Sequence, residues 1–267
     1  MNTDAVIIIP IYKQRLSLLE DLSIKQCFNV LSNYKIIAIK PDHLTLENYT
    51  YNFDDVISFS DEYFADPAGY NALMRSASFY DQFLTFEYML IYQPDAFVFK
   101  DELNYWCKEG YDYIGAPWVR HADYPDIVKK TKMQFLQYMN IRFNLKQPGT
   151  DLPTEIQLEN KVGNGGLSLR KVDKFLKVCH DKKTLIDYYN SRPEHYFGED
   201  VFWGIEVNRF KKLINIPNYK IALHFSMESN LQYSFSLTNG ELPFGCHAWD
   251  RNLDFWRPVF KSLGHII

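Results

Sequence analysis

Four short stretches carry side chains with chemical capacity. The first is Gln93-Pro94-Asp95, which interrupts an apolar run between Met89-Leu-Ile-Tyr92 and Ala96-Phe-Val-Phe99. An apolar run without polar alternation suits a strand buried on both faces. Pro94 lacks an amide donor and so fits a strand end. Asp95 is therefore expected at the carboxyl edge of a central strand, where open α/β sheets bind ligands. A turn aspartate is the competing reading. The second stretch, Val162-Gly-Asn-Gly-Gly-Leu-Ser-Leu-Arg170, packs three glycines into four residues. Read as a loop over Gly163 to Gly166, they permit unusual backbone conformations and let a ligand approach the main chain. No Gly-Lys-Ser/Thr ends it, so it is not a Walker loop, and the spacing does not match a dinucleotide fingerprint. The third, Phe197-Gly-Glu-Asp-Val-Phe-Trp203, sets Glu199 and Asp200 at a predicted helix start. Helix amides and dipole favour ionised carboxylates there, so either acid is a ready base or metal ligand; plain capping is the alternative. The fourth is Leu242-Pro-Phe-Gly-Cys-His-Ala-Trp249. Its His247 sits in a segment too short for regular structure, which makes it a better site candidate than His180 or His195.

The elements that must hold these residues read as α/β. Ala5 to Pro10, Tyr34 to Ile39 and Asp55 to Phe59 are apolar, β-branched or aromatic runs of strand length. Leu16 to Leu31 carries helical apolar spacing between the first two. Strand, helix, strand at this spacing begins a parallel, doubly wound sheet. Asp66-Pro67 opens a helix as N-cap and first-turn proline, with Leu73, Met74, Ala77 and Tyr80 as its buried stripe. Asp101 to Gly110 reads as a short helix, Tyr111 to Trp118 as an edge strand, and Val172 to about Cys179 as a further helix. Residues 119–160 read as an insertion with one amphipathic helix and a long loop. In it Lys129, Lys130, Lys132, Arg142 and Lys146 interleave with Met133, Phe135, Leu136, Met139 and Phe143. This is either a solvated helical face packed on the domain or an acceptor-side lid or foot on an anionic membrane.

Composition narrows the classes. A chain of 267 residues with 46% hydrophobic content can build one large α/β domain. Its net charge of -4 argues against a general nucleic-acid binder. With 19 Tyr, 20 Phe and 5 Trp, some aromatic rings are expected at the surface, free to stack on a base or sugar. Cys27, Cys107, Cys179 and Cys246 form no C-x-x-C pair, so a zinc or disulfide framework is not expected and a reduced, cytoplasmic setting fits. No basic n-region precedes the first strand, so no signal peptide is expected. No apolar stretch nears the about 20 residues of a membrane span.

Together the Pro10-Ile11-Tyr12 strand end, Gln93-Pro94-Asp95, Gly163 to Arg170, Gly198 to Trp203 and Pro243 to Trp249 resemble a glycosyltransferase of the GT-A fold. More narrowly, they resemble an uncharacterised bacterial domain family grouped with those enzymes and associated with surface-polysaccharide synthesis. The resemblance spans nearly the whole chain. It implies one domain over 1–267, with a nucleotide-sugar half at about 1–118 and an acceptor and catalytic half at about 160–267. It implies transfer of a sugar from a nucleotide-diphosphate donor, UDP-linked, to a glycan or glycolipid hydroxyl, at the inner face of a membrane or free in the cytoplasm. Pro10, Ile11, Tyr12, Gln93, Asp95, Asn164, Gly165 and Gly166 are then the nucleotide-sugar residues, with Tyr12 stacking on the base. Asp95 and His247 would hold Mn2+ or Mg2+, although Gln93 stands where the family's Asp-x-Asp signature has its first acid. Asp200 would be the base of an inverting transfer, with Glu199 orienting the acceptor or standing in for it. A nucleotidyltransferase shares such a sheet but would need a glycine in the Ile11-Tyr-Lys-Gln-Arg15 loop. A non-catalytic carbohydrate-binding protein would leave Asp95 and the acid pair without a task.

Overall fold

Ala5 to Ile9 offers no polar side chain, so the strand it forms must be covered on both faces. That is its place in the computed structural model, which describes residues 4–265. Strands β1 (Ala5–Pro10), β2 (Lys35–Pro41), β3 (Asp55–Phe59), β4 (Tyr88–Tyr92), β6 (Tyr113–Pro117) and β7 (Val162–Lys171) form one sheet in the order β3-β2-β1-β4-β7-β6. The first four run parallel; β7 is antiparallel to both β4 and β6. A second, small sheet joins β5 (Phe97–Val98), β9 (Gly245–Cys246) and β8 (Ser226–Met227). The protein is thus mixed α/β, with a six-stranded, mostly parallel sheet between helices.

Alternate residues of each central strand feed different cores. Ile7, Ile9, Leu90 and Tyr92 point to one side, Val6, Ile8, Met89 and Ile91 to the other. Each fully buried side chain of this size contributes about 1.5–3 kcal/mol. The first side packs on α1 (Leu18–Val30) and α4 (Leu103–Lys108). Helix α1 begins at a capping box: Ser17 Oγ accepts from Glu20 N at 3.2 Å and Glu20 Oε2 from Ser17 N at 2.8 Å. The second side packs on α2 (Pro67–Leu73), α3 (Ala77–Asp81), α6 (Val172–Asp181), α7 (Lys183–Asn190) and α8 (Glu199–Gly204). The insertion holds α5 (Ile127–Arg142). Helices α9 (Tyr219–Phe225), α10 (Leu231–Leu237) and α11 (Leu253–Ser262) surround the small sheet. Among the described residues no helix is long and apolar enough to cross a membrane.

Three expectations need correction. Phe97–Val98 does not continue β4; the Gln93–Ala96 turn sends it into the second sheet. The predicted helix after Asp66 is two helices. Asp66 caps the first and Ser76 Oγ caps the second, so the buried stripe of Leu73, Met74 and Tyr80 spans a break. Gly163 to Gly166 is not a loop but the first half of β7.

Gly204 ends α8 directly over that strand. A Cβ there would stand 2.3 Å from Val162 O and 3.1 Å from Gly163 Cα. Gly204→Ala should therefore lift α8 from β7 and destabilise the protein by about 1–3 kcal/mol, as other overpacked sites do, measurable by urea denaturation.

Candidate functional site

β4 ends where its neighbour β7 is glycine. Gln93 N donates to Gly166 O at 2.8 Å, and Ala96 N to Gln93 O at 2.8 Å. Asp95 is thus both a turn residue and a group at the carboxyl end of a central parallel strand. The two readings of the sequence meet in one position.

The glycines of β7 have a definite use. None of Gly163, Gly165 and Gly166 has a positive φ, so conformational freedom is not what they supply. Each accommodates a side chain from elsewhere. A Cβ on Gly163 would strike the Trp118 indole, on Gly165 Glu199 Oε1, and on Gly166 His247 Nε2, all within 2 Å. The close approach is made by the site's own side chains.

Glu199 is anchored from two sides. Its backbone N donates to Asn71 Oδ1 of α2 at 2.9 Å, and its Oε1 accepts from Arg170 Nη2 at 3.1 Å. Arg170 is fully buried; its Nη1 donates to Tyr80 Oη at 2.9 Å and its Nε to Ser168 Oγ at 3.1 Å. Glu199 Oε2 is buried and has no partner among the described residues. Asp200 keeps partial exposure to the cleft beside it. Burial, and then the charge of Glu199, push its carboxyl up to about 7.

His247 reaches the same cleft from the second sheet. The parallel register pairs Met227 with Cys246, which sets Glu228 beside His247. Their side chains meet at 2.9 Å, Glu228 Oε2 to His247 Nδ1. The other ring nitrogen, Nε2, lies 3.1 Å from both Gln93 Oε1 and Asp95 Oδ1. Burial works against a charged ring, but Glu228 and Asp95 outweigh it and raise the His247 pKa to about 10. Burial likewise opposes ionisation of Asp95, and the His247 ring overrides it, holding that carboxyl below its ordinary value.

Two hollows lie beside this contact, one lined by His247 and the other by Asp95. One, of about 370 Å3, is lined by Gln93, Asn164, Gly165, Gly166, Glu199, Asp200 and His247, with Arg75 and Tyr189 opposite. The other, of about 240 Å3, is lined by Tyr12, Lys13, Glu20, Asp95 and Arg251. Stretches near 95, 165 and 200 therefore do converge on one rim of the sheet. Tyr12 is 46% exposed and offers its ring, with Lys13 Nζ 5.4 Å above it. Pro10 and Ile11, predicted beside it, are corrected: both are buried, Ile11 at 1% exposure within the core, so they shape the strand end and present no side chain. Sequence reasoning gave no role to Glu228, Asn71 or Arg75. Only the pairing of β8 with β9 brings Glu228 to His247, and nothing local marks the other two.

A divalent cation can be tested against these donors. Among the described residues no three of His, Cys, Asp and Glu are grouped to hold a metal. Asp95 and Gln93 supply oxygens, and His247 would supply Nε2 only after a cation displaces the proton it holds there, with Glu228 behind the ring as an orienting carboxylate. This oxygen-rich set fits Mg2+ or Mn2+ where a bound ligand contributes further oxygens.

A family model described as "Protein of unknown function (DUF5672)" matches residues 54–247, well over half of the chain. No curated protein matches it.

Two stability measurements probe this site without any ligand. Arg170→Met would leave Glu199 buried and unpaired, and should cost about 3–5 kcal/mol in chemical denaturation. Asp200→Asn should behave oppositely. A carboxyl raised from 3.8 to about 7 gives stability that is full below 3.8 and lost as pH rises through 7. The variant should therefore gain on the parent across that interval, and an unchanged difference would show that Asp200 titrates normally.

Proposed function

The chain belongs to the DUF5672 family, and we propose that it is a glycosyltransferase of the GT-A fold that uses a nucleotide-diphosphate sugar. The observation that carries this reading is the adjacency of two hollows at the carboxyl ends of β1 and β4, one with Tyr12 and Asp95, the other with Glu199 and Asp200. The first has an exposed aromatic ring for a base and Lys13 and Arg251 for phosphate oxygens. The second is walled by Gly165 and Gly166 and carries a carboxyl that titrates near neutrality. A sugar held between them would bridge donor and acceptor.

The chemistry follows from that division. The acceptor oxygen attacks the anomeric carbon, and the bond from that carbon to the diphosphate oxygen breaks. The leaving nucleoside diphosphate takes the electron pair. The acceptor proton passes to Asp200, which lies in the hollow opposite the phosphate side and so suits an inverting transfer. A base is most effective when its pKa is near the working pH, and Asp200 meets that condition. Glu199, fixed by Arg170 and Asn71, lines the same hollow and orients the acceptor. Lys13 and Arg251 neutralise charge on the leaving group. A divalent cation on Asp95, His247 and Gln93 would add positive charge there. The UDP-linked donor and the glycan or glycolipid acceptor belong to this proposal.

The purified protein should release nucleoside diphosphate slowly from a UDP- or GDP-sugar, tested with and without Mn2+, and no CMP from a CMP-sugar. A carbohydrate-binding protein without activity would release none, and that result would end the proposal. Asp200→Asn should lower turnover by about 100- to 10,000-fold, the usual contribution of a general base, with donor affinity by calorimetry preserved. Asp95→Ala should weaken donor affinity instead. The parent's kcat/KM should climb with pH and level off above about 7 as Asp200 loses its proton.

A further inference from the structure

Helix α5 is turned inside out. Its one buried residue is polar: Asn140, whose Oδ1 accepts from Thr154 Oγ1 at 2.6 Å. Beside it, Gln137 Nε2 donates to Ile156 O at 2.9 Å. Polar bonds therefore hold the helix to the protein. Met133, Met139 and Ile141 are half-buried, while other apolar side chains face away: Ile127 is 72% exposed, Val128 75% and Phe135 64%. Val128, Phe135 and Arg142 are spaced by seven, so they share one side of the helix. Arg142 extends the stripe, lying 5.2 Å over the ring of Phe210, itself 70% exposed. Water is a poor neighbour for large apolar side chains held on one side of a helix, here with Lys132 set between Val128 and Phe135.

The charge around the stripe identifies what covers it. Residues 127–150 include Lys129, Lys130, Lys132, Arg142 and Lys146 and not one Asp or Glu; Asp126 caps the helix and Asp123 faces Lys130 at 4.0 Å, which leaves Lys129 and Lys132 as the cations beside the stripe, in a chain whose net charge is -4. Lys211 and Lys212 follow Phe210. A second copy of the chain meeting this face would set like charges against each other. Aromatic and aliphatic side chains ringed by lysines match a bilayer interface with anionic headgroups, into which the rings insert while the lysines stay among phosphates.

We propose that the outer face of α5, continued by Phe210, docks this protein on an anionic lipid surface. The proposal is independent of the assignment of the cleft. It is tested by flotation of the full chain with vesicles of phosphatidylcholine alone and of phosphatidylcholine with phosphatidylglycerol. Binding is expected only to the anionic vesicles, and added salt should weaken it. Val128→Ser with Phe135→Ser removes apolar insertion without changing charge; Lys129→Gln with Lys132→Gln removes charge alone. Each pair should reduce the bound fraction by about tenfold or more, with an unchanged melting temperature because all four side chains lie outside the core. Absence of binding to anionic vesicles would overturn the proposal. So would full binding by the serine pair, which would mean simple adsorption. A concentration-dependent dimer in sedimentation, broken by that pair, would assign the face to self-association instead.

Discussion

The fully buried Arg170 guanidinium is the fixed point of the cleft. An isolated charge of this kind would be strongly unfavourable in the core. It is tolerated because every edge is used: Glu199, Tyr80 and Ser168 each take part of it. The consequence runs outward. Arg170 sits on β7, Glu199 starts α8, and Tyr80 belongs to α3, so one guanidinium ties two helices to the sheet. With Oε1 committed to Arg170, Glu199 has one free oxygen and one direction for it. The glycine at 165 is required by the same contact, since any side chain there would fall on that carboxylate.

A second constraint acts at the other end of the cleft. β4 stops at Gln93, and the chain leaves the main sheet for the small one. That departure is what allows a segment from the far end of the sequence to approach. β9 pairs with β5 on one side and β8 on the other, so His247 emerges next to Asp95 and Glu228. The imidazole edge then fills the space that Gly166 leaves. Both glycines of the pair thus serve contacts between distant parts of the chain.

Much of this was legible before the fold was known, and the reason is local. Uninterrupted runs such as Ala5 to Ile9 can only be buried strands, and Asp66-Pro67 is a helix start by its own chemistry. The acid pair and the Asp95 turn were visible for the same reason. What stayed hidden was long-range. The glycine run reads as a flexible loop because the indole, carboxylate and imidazole that occupy its missing side chains come from positions 118, 199 and 247. Glu228 is an ordinary surface-type residue until two-residue strands β8 and β9 pair, and strands so short leave no periodicity. Met89 to Phe99 is equally apolar on both sides of Gln93-Pro94-Asp95, so its composition marks the break but not the change of sheet.

The two constraints also separate the acids electrostatically. Asp95 and Asp200 begin with the same ordinary value, and burial pushes both upward. Beside Asp95 stands a histidine held protonated by a further carboxylate, and its field more than cancels the burial. Beside Asp200 stands Glu199, whose own cation is already shared out beneath it, so the nearest charge adds to the burial. One carboxyl is thereby kept as a standing anion and the other as a group that exchanges its proton near neutrality. Paired acids driven apart in this way can divide binding from proton transfer within a single cleft. The division is set by which strand end each occupies and by which neighbour the fold delivers to it.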